Sequence, residues 1–105
     1  MTTDPDPWPP KTETVVVLFG NSDNKLTQTD WANFCASMRH TIEKYAFQMH
    51  FSGGSDWDAP WQNACMVAVV ELGWKYDKLL DELRSTRESF QQDSVAVLCG
   101  ETRYV

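Results

Sequence analysis

Two aspartates, Asp23 and Asp93, sit inside the two densest clusters of turn formers, Gly20-Asn21-Ser22-Asp23-Asn24 and Gln91-Gln92-Asp93-Ser94. Two carboxylates held close together can be driven to different pKa values, one donating a proton and the other accepting it. Lys25 follows the first cluster and could neutralise an anion there. Asn21, Ser22, Gln62, Asn63, Gln92 and Ser94 supply amides and hydroxyls of the kind that orient a polar ligand. No histidine or cysteine joins either aspartate, and no nucleophile–base pair is evident, so the pattern points away from an enzyme. The ordinary use of Asp in such clusters is turn and cap chemistry.

Trp57, Pro60 and Trp61 stand in the stretch Ser52 to Gln62, which can continue neither a helix nor a strand. Large aromatics are poor residues for a solvated loop unless they pack or bind, and tryptophan dominates interface energetics. His40 and His50 with a cysteine could bind metal, but His40 falls on the solvated side of its helix and His50 on the polar face of its strand, so neither a metal site nor a cofactor is expected. Cys35, Cys65 and Cys99 are odd in number and lie in apolar periodic segments. They read as reduced thiols acting as small interior hydrophobes.

The elements that must position these groups follow from periodicity. Thr14 to Phe19 is a β-branched run apolar on both faces, which predicts a central strand. Thr27, with Asp30 three residues on, resembles a capping pair. Trp31, Phe34, Cys35, Met38, Ile42 and Tyr45 then recur at helical spacing, with Arg39, His40, Glu43 and Lys44 on the other side. Phe47, Met49 and Phe51 alternate with Gln48, His50 and Ser52, predicting a half-buried strand with one polar face. Asn63 to Leu72 reads as a second central strand. Tyr76, Leu79, Leu80, Leu83 and Phe90 mark a second helix, and Ser94 to Cys99 the last strand. Residues 1–12 hold four of the five prolines and predict a flexible, polyproline-like tail ahead of a single domain over 13–105.

The order βαββαβ has one dominant solution, the ferredoxin-like α+β fold. It is a four-stranded antiparallel sheet with both helices on one face and the first and third strands central. A swapped or permuted α+β sandwich is the main alternative. In the ferredoxin-like layout the end of the first strand, the loop between the second and third, and the start of the fourth meet at one edge. That rim gathers Asn21, Ser22, Asp23, Lys25, Trp57, Trp61, Gln62, Asn63, Gln92, Asp93 and Ser94 beside a helix start.

Composition narrows the function. Of 105 residues, 42% are apolar and 23% charged, a globular balance rather than a disordered one. The net charge of −6 argues against capture of nucleic acid or anionic lipid, which need a basic patch. No apolar run reaches membrane-spanning length and no secretory pattern opens the chain, so the expected location is cytoplasmic.

The segments GNSDNKLTQ, HFSGGS, PWQNAC and QDSVAV together resemble a small family of actinobacterial and actinophage proteins. The resemblance spans roughly residues 15 to 104. It brings no established activity and no catalytic residue, and implies only a cytoplasmic setting in a bacterium or its phage.

The expected function is that of a non-enzymatic interaction or regulatory protein. It would meet a protein partner through its rim, tail or sheet, and pair with a second copy across the open sheet face, which looks too apolar for water. The alternative is a binding protein or small enzyme for a polar or anionic metabolite at the rim.

Overall fold

Branching at Cβ crowds a helix and suits the pleated backbone of a strand, and the run Val15-Val16-Val17 forms the middle of β1 (Thr12–Gly20). The computed structural model describes residues 11–56 and 58–105. After β1 come α1 (Gln28–Tyr45), β2 (Ala46–Gly54), β3 (Asn63–Glu71), α2 (Trp74–Ser89) and β4 (Ala96–Gly100). The strands form one antiparallel sheet in the order β2-β3-β1-β4, with the two helices packed on one face. This is the ferredoxin-like α+β fold, with β1 and β3 central. The tail predicted over 1–12 lies outside the described residues except for Lys11 and Thr12. Thr12 pairs with Glu71, and the Lys11 carbonyl accepts from the Leu72 N–H at 2.9 Å.

The register separates the two faces. Val15, Val17 and Phe19 of β1 lie level with Ala68, Met66 and Ala64 of β3, and all six are buried beneath the helices. Phe34, Met38 and Ile42 of α1 and Leu79 and Leu83 of α2 close over them. Phe34 centres an aromatic cluster, its ring 5.1 Å from that of Phe19 and 5.0 Å from that of Phe90. Thr27 caps α1 as expected, its side chain accepting from the Asp30 N–H. At the other helix start, Gly73 takes φ 108°, a conformation that a side chain would strain.

Among the described residues no helix lies on the opposite face. Phe51, Val67, Val16 and Leu98 lie side by side across all four strands, and Gly53, Cys65, Leu18 and Ala96 form the neighbouring row. Leu18, Phe51 and Leu98 are exposed.

Two sequence expectations fail here. The alternation of Phe47, Met49 and Phe51 is not one buried face, because β2 is irregular between Ala46 and Gln48 and again between Met49 and Phe51. Each such bulge places two residues opposite one and reverses the alternation. Met49 therefore packs on the core, Phe51 stands on the open face, and Phe47 is 77% exposed. Nor are the cysteines interior residues: Cys35 and Cys65 are half-buried and Cys99, on the edge strand β4, is exposed. Among the described residues no helix is long and apolar enough to cross a membrane.

Candidate functional site

Strand direction does bring the polar segments together. β1 ends at Gly20 level with Asn63, where β3 begins, and β2 ends at Gly54 level with Ala64. The residues at that edge then bind each other. The Asn21 Nδ2 donates to the Leu26 carbonyl and to Gln62 Oε1, both at 3.0 Å, while Asn21 Oδ1 accepts from the Leu26 N–H at 2.9 Å. The Gln62 Nε2 donates onward to Gln28 Oε1 at 2.8 Å, tying the loop before β3 to the first residue of α1.

A second clasp joins the β4 side. Gln92 Oε1 accepts from the Ser22 N–H at 2.7 Å, and Gln92 Nε2 donates to the Phe90 carbonyl at 3.0 Å. The Asp93 N–H donates to Ser22 Oγ at 3.3 Å. Asn21, Gln62 and Gln92 are all buried. Among the described residues no buried side-chain polar atom is left without a partner. The rim amides are thus committed to holding three segments together, since a buried amide without its bond costs more than one never placed there.

The charged groups are also paired. Lys25 Nζ lies 3.2 Å from Asp93 Oδ1, and both side chains are well exposed, so the pair contributes little. Asp93 therefore meets a cation, and Asp23 serves the chain through its backbone, at φ 53° beside Asn24 at the same angle. Asp and Asn tolerate this left-handed region better than other residues with side chains.

Of the remaining rim residues, Asn63 and Ser94 are exposed, and Trp61 is 69% exposed. Trp57 lies outside the described residues. Trp61, Asn63 and Ser94 border an open groove of about 480 Å3 that runs onto Leu18 and Ala96. A second groove of about 380 Å3 shares Leu18 and continues to Phe51. The accessible space at this edge is the upper margin of the open sheet face.

Sequence reasoning missed Gln28 and Arg87. The Arg87 Nη1 donates to the carbonyl of Gln92 at 3.1 Å, fixing the turn into β4. Its position in the last turn of α2, where cations meet free carbonyls, was the available signal. Also missed was the groove of about 360 Å3 at the opposite end of the sheet, bordered by Lys44, Tyr45, Phe47, Glu71, Trp74 and Lys75.

Cys35 and Cys99 are not set up for nucleophilic work, which needs a lowered pKa. Burial pushes Cys35 up to about 11. Cys99 is raised as well, by burial first and then by the Glu13 carboxylate, to which its Sγ donates at 3.2 Å. Among the described residues no three His, Cys, Asp or Glu side chains converge as metal ligands would. No family model and no curated protein sequence matches this chain.

Proposed function

We propose that this chain is a protein-interaction module whose open sheet face pairs with a second copy. The observation that carries the reading is the row Phe51–Val67–Val16–Leu98, apolar across all four strands, uncovered by either helix and extended by Leu18. A face that buries itself against an identical face meets the self-complementarity of a two-fold dimer. Three nine-residue strands and one of five, at about 3.4 Å per residue and 4.8 Å between strands, make a face of roughly 500 Å2. Two such faces bury about 1,000 Å2, the lower bound for a specific interface and the size of weak, transient pairs, so a dissociation constant in the micromolar range is expected. Two copies each of charge −6 repel, so added salt strengthens the dimer by screening.

A metabolite site at the rim is the weaker reading, because the amides that would grip a ligand already grip each other. In the bacterial or phage setting that the motif resemblance implies, the dimer would act on a host or sister protein, leaving Trp61 at the rim as the exposed anchor.

Sedimentation equilibrium from about 1 to 200 μM, a range that brackets micromolar affinity, tests the pairing. The expected result is a mass rising from one chain to two, and Leu98→Glu with Phe51→Glu holding the mass at one chain with the thermal midpoint preserved. A single-chain mass across the whole range, or a dimer that survives both substitutions, overturns the reading.

A further inference from the structure

The groove at the other end of the sheet is independent of the open face. It lies where α1 runs into β2 and β3 runs into α2, bordered by Tyr45, Phe47, Trp74 and the two cations Lys44 and Lys75. Trp74 is 66% exposed although it opens a helix packed on the core, and Phe47 is thrown outward by the bulge after Ala46. Aromatic walls with polar ends are how proteins receive proline-rich chain, because rings stack on the preset pyrrolidines at low entropic cost.

We propose that this groove is a docking site for a proline-flanked tryptophan, and that its occupant is the protein's own segment Asp4-Pro5-Asp6-Pro7-Trp8-Pro9-Pro10. Three observations commit it to that occupant. The first is position. Lys11, which follows the segment directly, is hydrogen-bonded to Leu72, and Thr12 is level with Glu71 on the groove's border.

The second is reach. Three residues of polyproline-type chain from Lys11 back to Trp8 span about 9 Å. From β1 across β3 to β2 is two strand spacings, also about 9 to 10 Å. A segment of that length is therefore long enough to reach from the start of β1 to the β2 side of the groove.

The third is charge. The segment carries Asp4 and Asp6 and no basic side chain, and the groove presents Lys44 and Lys75, each held by one carboxylate that an incoming aspartate could replace. Lys75 pairs with Glu71 at 3.4 Å and Lys44 with Glu82 at 3.2 Å. All four side chains are partly solvated, so these pairs are weak enough to exchange for the incoming aspartates.

Nuclear Overhauser spectroscopy on the full, isotope-labelled chain decides the matter. The expected result is a set of cross-peaks from the Trp8 indole to the rings of Phe47 and Trp74, persisting on tenfold dilution. Trp8→Ala should shift amide signals at 44–47, 71, 74 and 75, and no signal on the open face. Trp74→Ala should return the Trp8 indole to the shift of a free peptide. Cross-peaks confined to Trp8 and its sequence neighbours overturn the proposal. So do contacts that appear only between differently labelled chains, which would make the occupant a second copy. Because Trp8→Ala leaves the sheet face untouched, sedimentation of the same variant separates this outcome from the dimer's.

Discussion

Asn21→Ala is the sharpest test of whether the rim is structure or site. The substitution deletes three hydrogen bonds, two to the Leu26 backbone and one to Gln62 Oε1. Each is worth about 1 kcal/mol net, and a buried partner left unpaired costs more. Gln62 Oε1 is in that position, because its residue is buried. The Leu26 backbone is only half-buried and can recover part of its loss from water. The sum is roughly 2–4 kcal/mol, a large share of the 5–15 kcal/mol that holds a small domain together. Thermal unfolding should show it as a midpoint drop of roughly 10–20 °C.

Two companions separate the cause. Asn63→Ala, at an exposed rim residue whose side chain donates only a 3.4 Å bond, should cost within about 0.5 kcal/mol. Asn21→Asp keeps the acceptor for the Leu26 N–H but turns the donor into an acceptor facing the Leu26 carbonyl. Burial and that carbonyl should raise the new carboxyl's pKa, so stability is retained in acid and lost as pH rises through the carboxylate range. A cost for Asn21→Ala below about 0.5 kcal/mol would refute the reasoning and free the rim amides to serve a ligand.

Two further outcomes follow from titratable groups. Glu82 is held below its ordinary pKa, chiefly by the Tyr45 hydroxyl that donates to it and also by Lys44. Its contribution is present above the ordinary glutamate value and is lost as pH falls through the depressed one. Urea midpoints between pH 7 and pH 3 should therefore converge for wild type and Glu82→Gln, and parallel curves would contradict this. Cys35, raised to about 11, should resist a thiol-disulfide reagent at neutral pH until the protein is unfolded. Labelling of Cys35 in the folded chain as fast as in urea would remove the basis for treating that thiol as inert.

The central strands were legible because β1 and β3 each have a partner strand on both sides and apolar residues on both faces, one under the helices and one open. Continuous β-branched runs record that situation directly. The convergence at the rim was legible too, since chain direction alone puts Gly20, Asn63 and the turn before β4 at one edge. The fate of the rim residues was not. Residue type states that Asn21 can donate and accept, but the partner is set by where Gln62 arrives, 41 positions later.

The bulges in β2 left even less trace. Phe47-Gln48-Met49-His50-Phe51 alternates cleanly in sequence, and the extra residues that break the alternation show only in the pairing of β2 with β3. Cys99 was misplaced for a related reason. Val97 and Cys99 share the core-facing side of β4, but α2 covers the strand incompletely, so the far end stays in water.

Where a protein of this size can act is set by which groups still have contacts to make. At the rim the polar capacity is spent: Asn21, Gln62 and Gln92 are buried and paired, and Lys25 holds Asp93. Among the described residues the unspent capacity is largely apolar and, Trp61 at the rim and the C-terminal Tyr104 and Val105 aside, it lies in two places. One is the row from Phe51 to Leu98, which no element among the described residues covers; the other is the pair Phe47 and Trp74 near the start of β2 and α2. Apolar capacity is satisfied by burial and is indifferent to the exact chemistry of what covers it, which is the property the proposed pairing would use. The two surfaces draw on the same strand, β2, whose register shifts fall on either side of Gln48 and Met49 and leave both Phe47 and Phe51 exposed. A single regular strand could not have supplied both, and straightening either bulge should abolish one surface while leaving the other in place.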